Sequence, residues 1–313
     1  MTTAFVFPGQ GSQAIGMGRA LAEAFGAARL VFEEVDEALG QRLSSLMFEG
    51  PEADLTLTEN AQPALMAVSI AALRVMETEG GWKLSDKAGF VAGHSLGEYS
   101  ALAAAGALTL SDAARLLKRR GRAMQRAVPV GQGAMAALLG LDLPVAGEVA
   151  AAAAEDEVCA CANDNAPGQV VVSGDKTAVE RAMKIAAEKG GRRSIMLPVS
   201  APFHCQLMAP AAREMEEALA EISLAPPSVP LLANVTAAPV SDPETIRRLL
   251  VEQVTGMVRW RESVLRLKAE GATRLIELGA GKVLAGLAKR IDKDLDAVSV
   301  GLPADVDPIL KSL

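Results

Sequence analysis

The chain has 313 residues, half of them apolar and 22% charged, with a formal net charge of −7. Those proportions describe a globular protein with ample core and exclude a disordered or fibrous one, and the acidic balance argues against wrapping of nucleic acid. No apolar run reaches the roughly eighteen residues a membrane span requires; the richest, residues 64–76, is interrupted by Arg74.

Strand-like apolar runs alternate with helix-like segments from end to end, which predicts an α/β fold with a mainly parallel sheet. The N-terminus lacks the charged and apolar regions of a secretory signal, so a cytoplasmic location is expected. Phe5-Val6-Phe7 is the first strand. Pro8-Gly9-Gln10-Gly11-Ser12-Gln13 is a glycine-rich turn into a helix reaching about residue 39. Gly9, Gly11 and Ala14 satisfy a relaxed dinucleotide fingerprint, but residues 41–60 hold no buried strand to complete the βαβ unit, and that reading is set aside. Residues 64–76 read as a buried helix and Gly89-Phe90-Val91-Ala92 as a short central strand. The pattern then changes character: strand 134–139, helix 143–154, strand 158–162, strand 170–173, helix 177–189, strand 194–199. This is the order of a ferredoxin-like insert. It divides the chain into a body of residues 1–127 and 200–313 and a small subdomain of residues 128–199. The three cysteines, Cys159, Cys161 and Cys205, cannot all pair with one another and have no zinc-site spacing, so they read as reduced thiols. The body resumes with a helix near residues 210–221, a proline-rich link at 226–230 and a last strand at 274–278. Gly279-Ala280-Gly281-Lys282 is no phosphate loop, because Val283 stands where Ser or Thr is required.

Gly93-His94-Ser95-Leu96-Gly97 is a G-x-S-x-G element between an apolar strand and a helix at about residues 96–105. Its glycines permit a sharp turn that lifts the serine hydroxyl off the sheet, and the helix N-terminus behind it offers N–H donors to an oxyanion. Such a serine needs a base, and the chain has two histidines. His94 adjoins the nucleophile, so its side chain should diverge at the turn. His204, in the proline-bounded loop Pro198-Val199-Ser200-Ala201-Pro202-Phe203-His204, is the candidate. On a helix at residues 111–126, with a cap signal at Ser111 and Asp112, a step of about 100° per residue puts Ala113, Leu116, Leu117 and Met124 within about 60° of Arg120. Arg120 therefore faces inward, where its planar fork suits a carboxylate; a structural salt bridge or a snorkelling stem is the alternative. Lys118 and Arg122 fall about 160° away, on the face expected to meet solvent.

Phe7-Pro8-Gly9-Gln10-Gly11-Ser12-Gln13, Gly93-His94-Ser95-Leu96-Gly97-Glu98-Tyr99, Arg120-Gly121 and Ala201-Pro202-Phe203-His204 occur in an order and spacing that resemble the malonyl-CoA:acyl-carrier-protein transacylase family. Asn163 with Pro167-Gly168-Gln169-Val170, Asn234-Val235-Thr236-Ala237 and Gly279-Ala280-Gly281-Lys282-Val283-Leu284 extend the likeness over essentially the whole chain. The resemblance implies a hydrolase-like α/β body with a ferredoxin-like insert, malonyl-CoA and acyl carrier protein as partners, and no cofactor or metal, the coenzyme A thioester being a substrate. It implies Ser95 as the acylated nucleophile and His204 as its base. The backbone N–H groups of Gln10 and Leu96 would form the oxyanion hole, Arg120 would clamp the malonyl carboxylate, and Gln62, Asn163 and Phe203 would line the pocket. It also implies that a backbone carbonyl in Met257-Val258-Arg259-Trp260, expected to be that of Arg259, orients His204 in place of an acid. A monomer is expected, with neither nucleic acid nor membrane as partner. An acidic carrier would meet Lys118, Arg119 and Arg122, or Lys189, Arg192 and Arg193. A serine esterase or thioesterase would share Ser95 and His204, and a non-catalytic carrier-binding module would share the fold. The inward Arg120 separates the transferase from the esterase, and trapping of an acyl group on Ser95 separates it from the binding module.

Overall fold

In the computed structural model, which describes residues 2–313, the apolar run at the N-terminus becomes a central strand of the larger of two sheets. The strands are β1 (Thr2–Phe7), β2 (Ala88–Gly93), β3 (Gly133–Leu139), β4 (Cys159–Ala166), β5 (Gln169–Asp175), β6 (Arg193–Met196), β7 (Leu231–Ala233), β8 (Ala238–Val240), β9 (Ala272–Leu278) and β10 (Asp296–Val300). The large sheet runs β10-β9-β1-β2-β7-β8 and is parallel except at the β7–β8 pair. Both its faces are covered. Along β1, Phe5 and Phe7 enter the core built around the Thr58–Gly80 helix, while Ala4 and Val6 enter a second core with Trp260 and Val264. That two-sided burial is why the strand reads as a continuous apolar run rather than an alternating one.

The small sheet runs β4-β5-β3-β6, antiparallel throughout, with the Leu143–Ala154 and Lys176–Glu188 helices as its crossovers. The order is ferredoxin-like, as the sequence predicts. Here alternation decides which face meets what. Ala136, Leu138, Val170 and Val172 pack under the two helices, while Met135, Ala137 and Val171 turn the other way and join the core of the body.

Several predicted elements differ in detail. The glycine-rich turn continues to Gly18, and the following helix is broken at Phe25 into Arg19–Ala24 and Gly26–Leu39; Gly11, Gly16 and Gly18 take positive φ, which holds the chain out of a helix there. The helix carrying Arg120 runs Leu110–Ala127, and its cap is Thr109, whose Oγ1 accepts from Asp112 N at 3.0 Å, rather than Ser111 or Asp112. The strand at 274–278 is not the last, because β10 follows at the sheet edge. Among the described residues no helix is long and apolar enough to cross a membrane.

Candidate active site

The site lies at the carboxyl ends of β1 and β2, where a parallel sheet offers a crevice. Ser95 occupies the turn between β2 and the Gly97–Ala104 helix with φ 54°, a left-handed angle that a β-carbon resists. The turn closes only because its flanks are glycine. A Cβ on Gly93 would stand 1.8 Å from Gly97 C, and one on Gly97 would stand 2.2 Å from Phe7 O. Both backbone groups of Ser95 are pinned: its N–H donates to Asn234 Oδ1 at 2.8 Å, and its carbonyl accepts from Gln253 Nε2 at 2.8 Å. His94 diverges as expected, bonding Asn165 Oδ1 through Nε2 at 2.8 Å and packing on Trp260 with ring centroids 5.7 Å apart.

His204 is buried and places Nε2 2.7 Å from Ser95 Oγ. Its Nδ1 faces two carbonyl oxygens, Gln253 O at 2.8 Å and Gly256 O at 3.1 Å. Carbonyls only accept, so Nδ1 carries the proton and Nε2 is left to accept from the serine hydroxyl. The expectation that Arg259 supplies this carbonyl is corrected here. The Arg259 carbonyl opens the Trp260–Ala269 helix and accepts from Ser263 N and Oγ at 2.9 and 3.0 Å. Gln253, by contrast, sits in the last turn of the Pro243–Thr255 helix, where carbonyls have no intrahelical partner. Burial first, and then the charge of Arg120, push the His204 imidazole down to about 3, so it is neutral in the resting protein.

Arg120 is buried, as its position on the apolar stripe predicts. Its Nη1 donates to Gln62 Oε1 at 2.7 Å, and its Nη2 to Gln253 Oε1 at 2.8 Å and to Ser95 Oγ at 3.2 Å. All three acceptors are neutral, so the guanidinium is solvated by the protein and electrically uncompensated at contact range, a state that favours an incoming carboxylate. Gly121 makes the placement possible. A Cβ there would lie 2.5 Å from Glu59 Cα, so its helix rests directly on the first turn of the Thr58–Gly80 helix, which carries Gln62.

Gln10, Gln62, Ser95, Leu96, Arg120, Asn163, Phe203 and His204 all line one cavity of about 290 Å³, and Arg259 does not. Met124, Met135 and Val199 add apolar wall. The sequence reading missed Gln253 and Glu98 and gave Asn234 no role. Glu98 is buried, and its carboxyl oxygens accept from Asn234 N at 2.6 Å and from Gln253 Nε2, tying together the two residues that pin Ser95; burial raises its pKa to about 8. A signal for Gln253 existed, since it extends the apolar stripe Ile246, Leu249, Leu250 as a lone amide.

Of the basic groups, Lys118 is corrected: it is buried, with Nζ on Gln41 Oε1, Asn60 Oδ1 and Glu59. Its helix is packed between three others, Gly26–Leu39, Thr58–Gly80 and Ala209–Ala220, so its polar side is not free solvent. Arg119 and Arg122 are paired with Glu214, Glu217, Glu221 and Glu59. Lys189 pairs with Glu148, whereas Arg192 and Arg193 are exposed.

An acyl transferase domain model matches residues 4–301. The chain is 46% identical over 311 residues to the malonyl CoA-acyl carrier protein transacylase of Bacillus subtilis (strain 168), covering 99% of this chain and 96% of that one. Among solved structures it is similar to the acyl-carrier-protein-S-malonyltransferase of Bartonella henselae, at 56% identity and TM-score 0.97, with 100% and 99% of the two chains covered. It is also similar to a malonyl-transacylase solved with its type II PKS acyl-carrier protein, at 41% identity and TM-score 0.96, over 100% of both chains.

Proposed function

We propose how this chain, which belongs to the malonyl-CoA:acyl-carrier-protein transacylase family, carries out its reaction through an ester on Ser95. It transfers a malonyl group from malonyl-CoA to the thiol of acyl carrier protein. The bound malonyl carboxylate pairs with Arg120. Ser95 Oγ attacks the thioester carbonyl while its proton passes to His204 Nε2, and the oxyanion is held by the N–H groups of Gln10 and Leu96. The C–S bond then breaks and His204 returns the proton to the departing coenzyme A thiolate. In the second half the carrier's phosphopantetheine thiol gives its proton to His204 and attacks the ester; the C–O bond breaks and Ser95 is reprotonated. One thioester replaces another, so the residues chiefly lower barriers. Proton transfer by a positioned imidazole contributes roughly 10²–10⁴-fold, and each oxyanion donor about 10²–10³-fold. The substrate carboxylate also offsets the charge of Arg120, which otherwise depresses the basicity of His204. Gln62 steadies Arg120, while Asn163 and Phe203 bound the acyl pocket.

The observation that carries this reading is the convergence of His204 Nε2 at 2.7 Å and Arg120 Nη2 at 3.2 Å on one hydroxyl. Incubation with malonyl-CoA is expected to add one malonyl mass to the Ser95 peptide, and Ser95→Ala to abolish it. Arg120→Ala is expected to lose the malonyl-over-acetyl preference in kcat/KM, since only malonyl offers the guanidinium an anion. An unlabelled Ser95, or an unchanged preference, would sink the assignment. We assign residues 128–199 as the small subdomain and the remainder as the body, and take the enzyme to act as a cytoplasmic monomer. The three unpaired cysteines suit a reducing compartment. Arg192 and Arg193, exposed and, among the described residues, without the carboxylate partners that Arg119 and Arg122 have, are the better docking candidates for an acidic carrier.

A further inference from the structure

Three hydrogen bonds run from Arg120 to the loop that carries Gln10, and all point the same way. Arg120 Nη1 donates to Gln62 Oε1 at 2.7 Å, Gln62 Nε2 donates to Thr58 Oγ1 at 3.0 Å, and Thr58 Oγ1 donates to Gln10 Oε1 at 3.0 Å. The sense is dictated by the cation. A guanidinium has no acceptor, so Gln62 must present its oxygen to it; the Gln62 amide nitrogen then obliges the Thr58 hydroxyl to accept, and that hydroxyl's own hydrogen is left for Gln10. Gln10 is thereby turned with its oxygen toward Thr58, and its NH₂ becomes the donor end of a residue that lines the cavity. Thr58 and Gln62 are both buried, so water does not compete for these bonds. Thr58 is also the first residue of its helix, and its carbonyl would lie 2.7 Å from a Cβ on Gly121, so the hydroxyl stands at the junction of the Arg120 helix and the Gln10 turn.

We propose, on the acyl-serine reading above, that Thr58 is a positioning residue: its hydroxyl passes the hydrogen-bond polarity of Arg120 through Gln62 to Gln10, so that one chain of bonds sets both the carboxylate clamp and the oxyanion loop. Removing the hydroxyl has two separable effects. Gln62 loses the acceptor that holds its oxygen against Arg120, which bears on malonyl alone. Gln10 loses the donor that fixes its loop, which bears on any acyl group.

Thr58→Val keeps the β-branched shape without the hydroxyl, and Thr58→Ser keeps the hydroxyl. Single-turnover acylation of Ser95, read by intact mass after rapid quench, is measured with malonyl-CoA and with acetyl-CoA. T58V is expected to slow malonyl acylation by about 30-fold and acetyl acylation by about threefold, lowering the malonyl-to-acetyl ratio about tenfold, the scale of one unsatisfied buried partner. T58S returns the ratio to within about twofold of wild type, since its hydroxyl rebuilds the same bonds. Gln10→Met removes the last acceptor without touching the buried threonine, and is expected to slow both substrates by about threefold with the ratio kept. An unchanged ratio in T58V, a T58S ratio as low as that of T58V, or wild-type rates in Gln10→Met each overturn the relay. Absence of any acyl mass on wild-type Ser95 would instead overturn the covalent mechanism on which the relay acts.

Discussion

Ser95 and His204 both hold left-handed backbone angles, φ 54° and 60°. Each such residue costs on the order of 1 kcal/mol or more and persists only where its surroundings over-determine it. Asn234 and Gln253 do this for Ser95, and the Gln253 and Gly256 carbonyls hold the His204 ring. The chemical consequence is an imidazole kept neutral by burial and then by the charge of Arg120, as the base in the proposed mechanism must be. In the proposed mechanism acylation needs the neutral imidazole, so its rate is expected to decline only as pH falls through the depressed value, well under the ordinary 6.5. Arg120→Gln removes the second cause and leaves the first, so the imidazole pKa rises toward its ordinary value and the acid limb of kcat/KM moves up with it. Acetyl-CoA, whose acyl group does not titrate, is the substrate to use over about pH 4–8. Superimposable limbs in the two proteins would show that the guanidinium does not tune the base. At this scale the sequence is most readable where a side chain is out of place chemically, as with a serine between glycines or an arginine on an apolar stripe. A carbonyl that orients a histidine has no side-chain identity to read, and for that reason the expectation fell on Arg259 instead of Gln253 and Gly256.

Arg120 reaches Gln62 because two helices touch backbone to backbone at Gly121. Replacing this glycine by alanine gains about 0.5–1 kcal/mol of helix propensity. The added Cβ, however, would lie 2.5 Å from Glu59 Cα and 2.7 Å from Thr58 O, atoms that cannot swing aside as a side-chain end can. Overpacking of this kind costs typically 1–3 kcal/mol, so Gly121→Ala is expected to lower the denaturant midpoint. It should also reduce the malonyl-to-acetyl ratio, because the helices part where Gln62 holds Arg120. Equal midpoints and equal ratios would mean that the helices separate freely. Elements long enough to show a period were legible: the Leu143–Ala154 helix and β3 match their predicted spans closely, and β5 contains the expected 170–173 and extends it to Gln169–Asp175. The strands β7 and β8 have three residues each, too few for alternation to register, and β10 was missed with its single apolar pattern spread over five. The Pro243–Thr255 helix, which carries Gln253, went unread although Asp242 caps it and Ile246, Leu249 and Leu250 form a regular stripe, and with the helix went the lone amide that continues that stripe.

The small sheet meets the loop between the Pro243–Thr255 and Trp260–Ala269 helices along a short seam that bears directly on the site. Val258 N donates to Ala162 O at 2.9 Å and Asp164 N donates to Val258 O at 3.0 Å, so β4 pairs with the segment that follows Gly256, one of the two residues whose carbonyls accept from His204 Nδ1. The same strand delivers Asn163 to the cavity. Beside this pairing the Asp164 carboxylate, 1% exposed, accepts from Arg261 Nε at 2.9 Å, while Arg261 itself is 30% exposed. Burial raises the Asp164 pKa above its ordinary 3.8 even with the guanidinium present. Arg261→Met keeps most of the apolar stem and removes the charge, leaving a buried carboxylate unpaired at a cost of about 1–3 kcal/mol near neutral pH. The pH dependence has a definite sign. Without Arg261 the folded-state pKa of Asp164 rises further above its unfolded value, so between the two the folded protein holds a proton that the unfolded chain has lost. Stability therefore falls as pH rises through that window, and the deficit of Arg261→Met should shrink as pH is lowered toward 3.8. Denaturant melts at about pH 5 and pH 8, with the Arg261→Met/Asp164→Asn pair as control, check this. A deficit of equal size at both values, or one undiminished when the carboxylate is also removed, would locate the weakness of the seam elsewhere than in Asp164.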